Sequence, residues 1–253
     1  MNKLWLKQIE VLDSLRFLGA IFVAIFHYNK FTGTSHMDSS FPYFEYLNYA
    51  YVKGGTWVEM FFILSGITFC LVYEERISTH LISFKQFTVK RIARLYPLYW
   101  FTTALCIFNY LLINKICNVS IVASGSDNFC LSNLLINFLG IARGWIENIS
   151  YPYNGPAWTI SVEIFCYLIF YLISRFCKKR IRTMIMIIIV IVSVFIVKGN
   201  LQYPILNVEI ARGTSCFFFG VLFIKLLSLR CVYKKRNILP FIGGGYNYLC
   251  LYV

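Results

Sequence analysis

The chain has 253 residues, 58% of them hydrophobic and only 14% charged, with a formal net charge of +13. Soluble domains run nearer a quarter charged, so a globular enzyme in water is excluded and a membrane protein is indicated. The basic residues lie between apolar runs, so the positive charge reads as membrane topology rather than nucleic-acid binding.

Residues Met1–Asp13 are mixed and polar, and no small-residue cleavage site follows the first apolar run, which argues against a cleavable signal peptide. A spanning helix needs roughly 20 largely apolar residues. The strong candidates are Leu15–Tyr28, Trp57–Tyr73, Leu95–Ile113, Ala157–Phe176, Met184–Val197 and Ile210–Leu227, and a seventh run begins near Ile238. The fold expected is all-α: one domain over residues 1–253, a polytopic transmembrane helical bundle of about seven spans.

Three segments are rich in Lys and Arg and should face the cytoplasm. They hold Arg76, Lys85, Lys90, Arg91 and Arg94; Lys178, Lys179, Arg180 and Arg182; and Arg230, Lys234, Lys235 and Arg236. The N-terminus, with Lys3 and Lys7, falls on the same side. Parity then constrains the middle of the chain, because the third candidate span ends outside and Ala157–Phe176 must begin outside. Leu131–Ile141 is therefore a re-entrant or interfacial piece within the segment 115–156. Cys117 and Cys130 flank that segment and are placed to pair if the compartment is oxidising, whereas the other cysteines read mostly as small buried hydrophobes. No Cys/His metal spacing occurs, and no metal is expected.

Ionisable residues inside spans are functional candidates by default. Arg16 and His27 are eleven residues apart, ~16 Å along a helix and on nearly the same face. Arg91 and Arg94, at i and i+3, are two guanidinium forks at the cytoplasmic mouth, suited to phosphate; the plain alternative is topological anchoring. Pro97 breaks or starts the following helix. In Asn154–Glu163, Gly155 and Pro156 open a helix, Trp158 marks the interface, and Ser161 and Glu163 lie just inside. Glu163 is a candidate to orient His27 or take its proton; a carboxylate near a helix N-terminus is also favoured by the dipole. Glu59 and Arg212 enter from the outer side, either to belong to a polar cavity near His27 or to pair structurally. Gly66 allows close helix approach.

Five pieces in order resemble the integral-membrane acyltransferase family 3, the bacterial polysaccharide O-acyltransferases. They are LDSLRFLGAIFVAIFHY from Leu12, WVEMFFILSGITF from Trp57, FTVKRIARLYPLYW from Phe87, PAWTISVEIFCY from Pro156 and RGTSCFFFGVLF from Arg212. The resemblance implies transfer of an acyl group, often acetyl, from cytoplasmic acyl-CoA (acetyl-CoA) to a hydroxyl of a surface polysaccharide or glycolipid. It implies residence in the bacterial inner membrane among its lipids. By position, Arg16 and His27 match the family's first-helix pair, Arg91 and Arg94 its Arg-x-x-Arg element, and Ser161 and Glu163 its Ser-x-Glu element. His27, Glu163 and Arg16 are thus the expected catalytic residues, Arg91 and Arg94 the expected donor-binding residues, and Glu59, Ser161, Trp158 and Arg212 the substrate-facing or structural polar ones.

The chain departs from the pattern at Thr56-Trp57-Val58-Glu59, where the family has Gly-Val-Asp. Family members also carry more spans, so a chain truncated at its C-terminus is expected. The rival class is a transporter or flippase using the same intramembrane charges, weakened by the lack of an inverted repeat.

Overall fold

The computed structural model describes residues 3–29, 38–117, 131–141, 145 and 154–238. Among these residues there is no β-strand. The helices are α1 (Lys3–Phe26), α2 (Phe44–Lys53), α3 (Trp57–Phe69), the short α4 (Glu75–Ser78), α5 (Phe84–Cys117), α6 (Leu131–Phe138), α7 (Trp158–Phe176), α8 (Lys179–Lys198) and α9 (Val208–Ile238). A π-helical turn, Cys70–Glu74, joins α3 to α4. Each of the six strong candidate runs lies mostly on one of these helices, with Trp57–Tyr73 continuing from α3 into the π-turn. The apolar run after Ile238 and the Cys117–Cys130 pair lie outside the described residues.

Among the described residues, four stretches are long and apolar enough to cross a membrane: Phe44–Ser78, Gly155–Phe176, Lys179–Lys198 and Val208–Ser228. Their outer faces support that reading. On α8, Ile188, Ile191 and Phe195 are exposed. On α5, Leu98, Phe101, Leu105, Phe108 and Leu112 form an exposed stripe at spacings of three and four. Continuous apolar faces of this kind are not left in water by soluble proteins. The protein is a membrane protein with an all-helical fold.

Helix α5 starts earlier than its apolar run suggests. Ser83 and Gln86 form a capping box: the Gln86 N–H donates to Ser83 Oγ (3.3 Å) and the Ser83 N–H to Gln86 Oε1 (3.1 Å). Phe87 and Arg91 then point inward. The helix also runs through Pro97 instead of breaking there. It packs on the bundle through long side chains rather than backbone to backbone.

The short helix α6 behaves as the parity argument requires. Its eight residues give ~12 Å, far less than a span. It ends at Gly140, whose φ of +69° is the left-handed stop that glycine adopts freely. Three donors on α5 satisfy its last carbonyls: Tyr99 Oη to Asn137 O, Trp100 Nε1 to Phe138 O (3.0 Å) and Tyr96 Oη to Leu139 O (2.6 Å). The Trp100 ring stacks on Phe138 at 4.7 Å. The segment is therefore seated against the middle of α5.

The core lies where α3, α7 and α9 meet. Phe69 is stacked on Tyr167 at 4.2 Å and edge-on to Phe87, Phe170 and Phe217. Two glycines let α3 and α9 touch. A Cβ at Gly66 would overlap Phe217 O and sit 2.9 Å from its carbonyl carbon; one at Gly220 would sit 3.0 Å from the Ile63 carbonyl carbon. Gly66 has the packing role that its sequence context implies.

Candidate active site

Helix registers fix the depth of each polar group. Along α1 and α3, which run antiparallel, Arg16 meets Leu64 and Thr68, Gly19 meets Phe61, and Phe26 lies against Gly54 and Gly55. Along α5 and α7, Phe84 packs on Tyr171 at 5.1 Å, while Asn154, just before α7, donates to Thr102 (3.1 Å). The polar side chains fall into successive levels along α3, the helix common to all of them.

At the Trp57 end of α3, Arg212 Nε donates to Glu59 Oε1 at 3.0 Å, and Nη2 donates to the same oxygen. The guanidinium lies over the Trp158 ring, 5.6 Å from its centroid. Glu59 Oε2 is buried and has no hydrogen-bond partner. His27 is further out. It follows the last residue of α1, its ring is edge-on to Phe26 at 5.3 Å, and it is half-buried.

Six residues inward from Glu59, Ser65 Oγ donates to Glu163 Oε1 (3.2 Å), and Tyr167 Oη donates to the same oxygen (2.5 Å). Both bonds use one carboxylate oxygen. On a neighbouring face of α3, Arg16 donates to Thr68 Oγ1 (2.8 Å) and Leu64 O (3.4 Å), and its other arm meets Asp13 at 2.7 Å. Ser161 is fully buried, and its backbone carbonyl accepts from Trp145 Nε1 at 3.0 Å.

The level at the Phe69 end of α3 holds Arg91. This residue is 9% exposed. Its Nη2 donates to Tyr73 Oη (2.5 Å), and the guanidinium lies 4.7 Å from the Tyr73 centroid, 5.1 Å from Phe69 and 5.8 Å from Tyr167. Its Nε and Nη1 are buried and make no hydrogen bond. Burying charge with free donors costs several kcal/mol unless an anion or further acceptors meet them. An aromatic cage recovers only part, ~0.5–2 kcal/mol.

The structure therefore sorts the sequence candidates. Arg16, Glu59, Glu163, Arg91 and Arg212 all enter the bundle around α3. Glu163 and His27 are not brought together: Glu163 is level with Ser65 and His27 with Gly54, eleven residues apart on the chain, roughly 16 Å along the axis. Arg91 and Arg94 also part company, since Arg94 is exposed on α5 while Arg91 is inside. The buried stripe of α5 is narrow, and the 60° between i and i+3 positions carries Arg94 off it. Tyr73, Tyr167, Ser65 and Thr68 hold these charges, and all but Tyr167 carry no signal in the sequence taken alone. Tyr167 stands four residues after Glu163 on one helix, which is the spacing that would have suggested the pair.

The family 3 acyltransferase domain matches residues 9–252, nearly the whole chain, and the chain belongs to that family. Its class is accordingly a membrane acyltransferase. No curated protein and no solved structure matches it.

Proposed function

We propose that the protein moves an acyl group, acetyl in the first instance, from cytoplasmic acyl-CoA to a hydroxyl of an extracytoplasmic polysaccharide or glycolipid. In this reading it is a multi-pass protein of the bacterial inner membrane with a cytoplasmic N-terminus. The observation that carries the proposal is Arg91, a buried cation with two unused donor nitrogens at one end of the series of polar groups that leads toward His27. A donor phosphate fits such a fork, charge to charge. Arg94 assists from the exposed side of the same helix.

The donor's arm then extends outward past Tyr167, Glu163 and Arg16. From the level of Tyr73 to that of Gly54 is 19 residues (73 − 54), ~28 Å, so an extended donor and an acceptor reaching inward share that distance. His27, an imidazole whose ordinary pKa suits proton transfer near neutrality, takes the acceptor hydroxyl proton. The hydroxyl oxygen attacks the thioester carbonyl, the carbon–sulfur bond breaks, and the proton returns to the departing thiolate. Arg16 and Glu163, about 16 Å along the axis from His27, line the path of the donor's arm rather than the reacting atoms, and Glu163 takes both of its protein hydrogen bonds on Oε1. Glu59, Arg212 and Trp158 form the outer wall, with Glu59 Oε2 available to a sugar hydroxyl. Ser161 supports the helix that carries Glu163.

The test is His27→Ala, with mass spectrometry of cell-surface glycans and transfer of label from acyl-CoA by the purified protein. Both should be lost while the protein stays in the membrane. Unchanged acylation would remove His27 from the mechanism, and glycan flux without acyl donor would replace the enzyme by a transporter.

A further inference from the structure

The turn between α7 and α8 holds a second set of buried donors, which the column around α3 does not use. Helix α8 begins at Lys179 with no side-chain cap at Lys178 and no acidic residue in its first turn. Its first intrahelical bond runs from the Arg182 N–H to Lys178 O (2.9 Å), so the earlier amides of the turn lack helical acceptors. Carboxylates are the residues that suit such a positive end, yet it carries Lys179, Arg180 and Arg182.

Side chains at the same turn are unsatisfied. Arg182 is 6% exposed. Its Nη2 donates to Cys177 O (3.1 Å), which draws the guanidinium across the turn, and its Nε is buried with no partner. Ser174, in the last turn of α7, is wholly buried and its hydroxyl has no partner. Arg175 beside it has a buried Nη1, also without a partner.

The charge does not balance either. Glu74 Oε1 accepts from Arg182 Nη1 (2.9 Å) and from Lys225 Nζ (2.6 Å), so one carboxylate serves a buried and a half-buried cation. Topological anchoring accounts for cations in water or among headgroups, as Lys178, Lys179 and Arg180 are exposed. It does not account for Arg182, taken out of water with a donor unused.

We propose that the α7–α8 turn is a phosphate-binding site. Arg182, Arg175 and Ser174 donate from inside, the free amides of α8 complete the cradle, and Lys178, Lys179 and Arg180 form the rim. A tetrahedral dianion or diester accepts from many directions at once, which matches divergent donors at a helix N-terminus. The phosphate comes either from a membrane phospholipid or from a soluble donor such as coenzyme A. The site is distinct from Arg91, and it stands whether or not the acyl-transfer reading does, because it is read by binding.

The experiment uses the purified full chain in phosphatidylcholine nanodiscs, with coenzyme A as one probe and phosphatidylglycerol as the other. Coenzyme A affinity is read by titration and lipid retention by native mass spectrometry. Arg175→Gln should weaken one probe by about tenfold, the loss of a charge-assisted contact, and Arg175→Lys should recover part of it. Loss confined to coenzyme A assigns the phosphate to a soluble donor; loss confined to phosphatidylglycerol assigns it to lipid. Ser174→Ala is the milder companion should Arg175→Gln fail to fold, and it should weaken the same probe. Binding of both probes unchanged in the variants that fold would overturn the proposal.

Discussion

Replacing Gly66 by Ala puts a methyl group where α3 and α9 are in backbone contact. The new Cβ would overlap Phe217 O and sit 2.9 Å from its carbonyl carbon and 3.2 Å from Val221 N. Backbone atoms have no rotamer to adopt, so the two helices must part by about 1 Å, which forfeits a quarter to a half of the dispersion energy of the facing atoms. Overpacking of this kind costs about 1–3 kcal/mol, and the helix propensity gained on losing a glycine returns at most ~1 kcal/mol. The net expectation is a loss of roughly 1–2 kcal/mol. Gly220→Ala presses on the Ile63 carbonyl from the other side. Once the helices have parted, the second methyl meets less resistance, so the double variant should lose less than the sum of the singles. Gly155→Ala is the control, because a Cβ there meets nothing within 4 Å. Thermal unfolding in detergent, followed by tryptophan fluorescence, reads all four. A Gly66→Ala protein that melts at or above the wild-type temperature would refute the contact, and strict additivity would refute the shared separation.

Two further outcomes follow from the polar levels. Glu74→Gln removes the carboxylate that Arg182 and Lys225 share and should destabilise the protein by about 3–5 kcal/mol, the usual cost of stranding buried charge; an unchanged melting temperature would mean the two cations are solvated in the membrane. Tyr167→Phe keeps the stack on Phe69 but deletes the donor to Glu163. It should lower acyl transfer while costing only ~1 kcal/mol of stability, and its value as a positioning residue rests on a fall in kcat larger than any rise in KM.

The helices were legible because apolar length is a strong signal, and the shortness of Leu131–Phe138 was legible in the same way, whereas its seating on α5 was not. The start of α5 was also written locally, in Ser83-Phe84-Lys85-Gln86, but a capping box is easily passed over when an apolar run begins later. The charges that enter the bundle were legible one by one and not in their pairings. Arg16, Glu59, Glu163 and Arg91 stand out as charges within apolar sequence. For Glu59 and Arg212 a structural pairing was left open without a named partner, and the structure pairs them with each other. The partners of Glu74 are 108 and 151 residues away in sequence, and no local pattern records such a meeting. Arg91 and Arg94 show the converse limit: a helical repeat places two residues near one face, but the width of the buried stripe decides which of them enters.

The π-turn at Cys70–Glu74 sets the phase of everything inward of it. Tyr73 reaches Arg91, and the very next residue, Glu74, reaches Arg182 and Lys225 on the opposite side of the bundle. An α-helical turn has one residue fewer than this wide one, and each residue turns the helix by ~100°. Loss of a single residue from the turn would swing both side chains off their partners together while leaving the outer half of the helix in place. Substitutions can be absorbed at one side chain at a time, but a change of length in this stretch is indivisible. The aromatic cage of Arg91 and the charge triad of Glu74 are thus inherited as one unit.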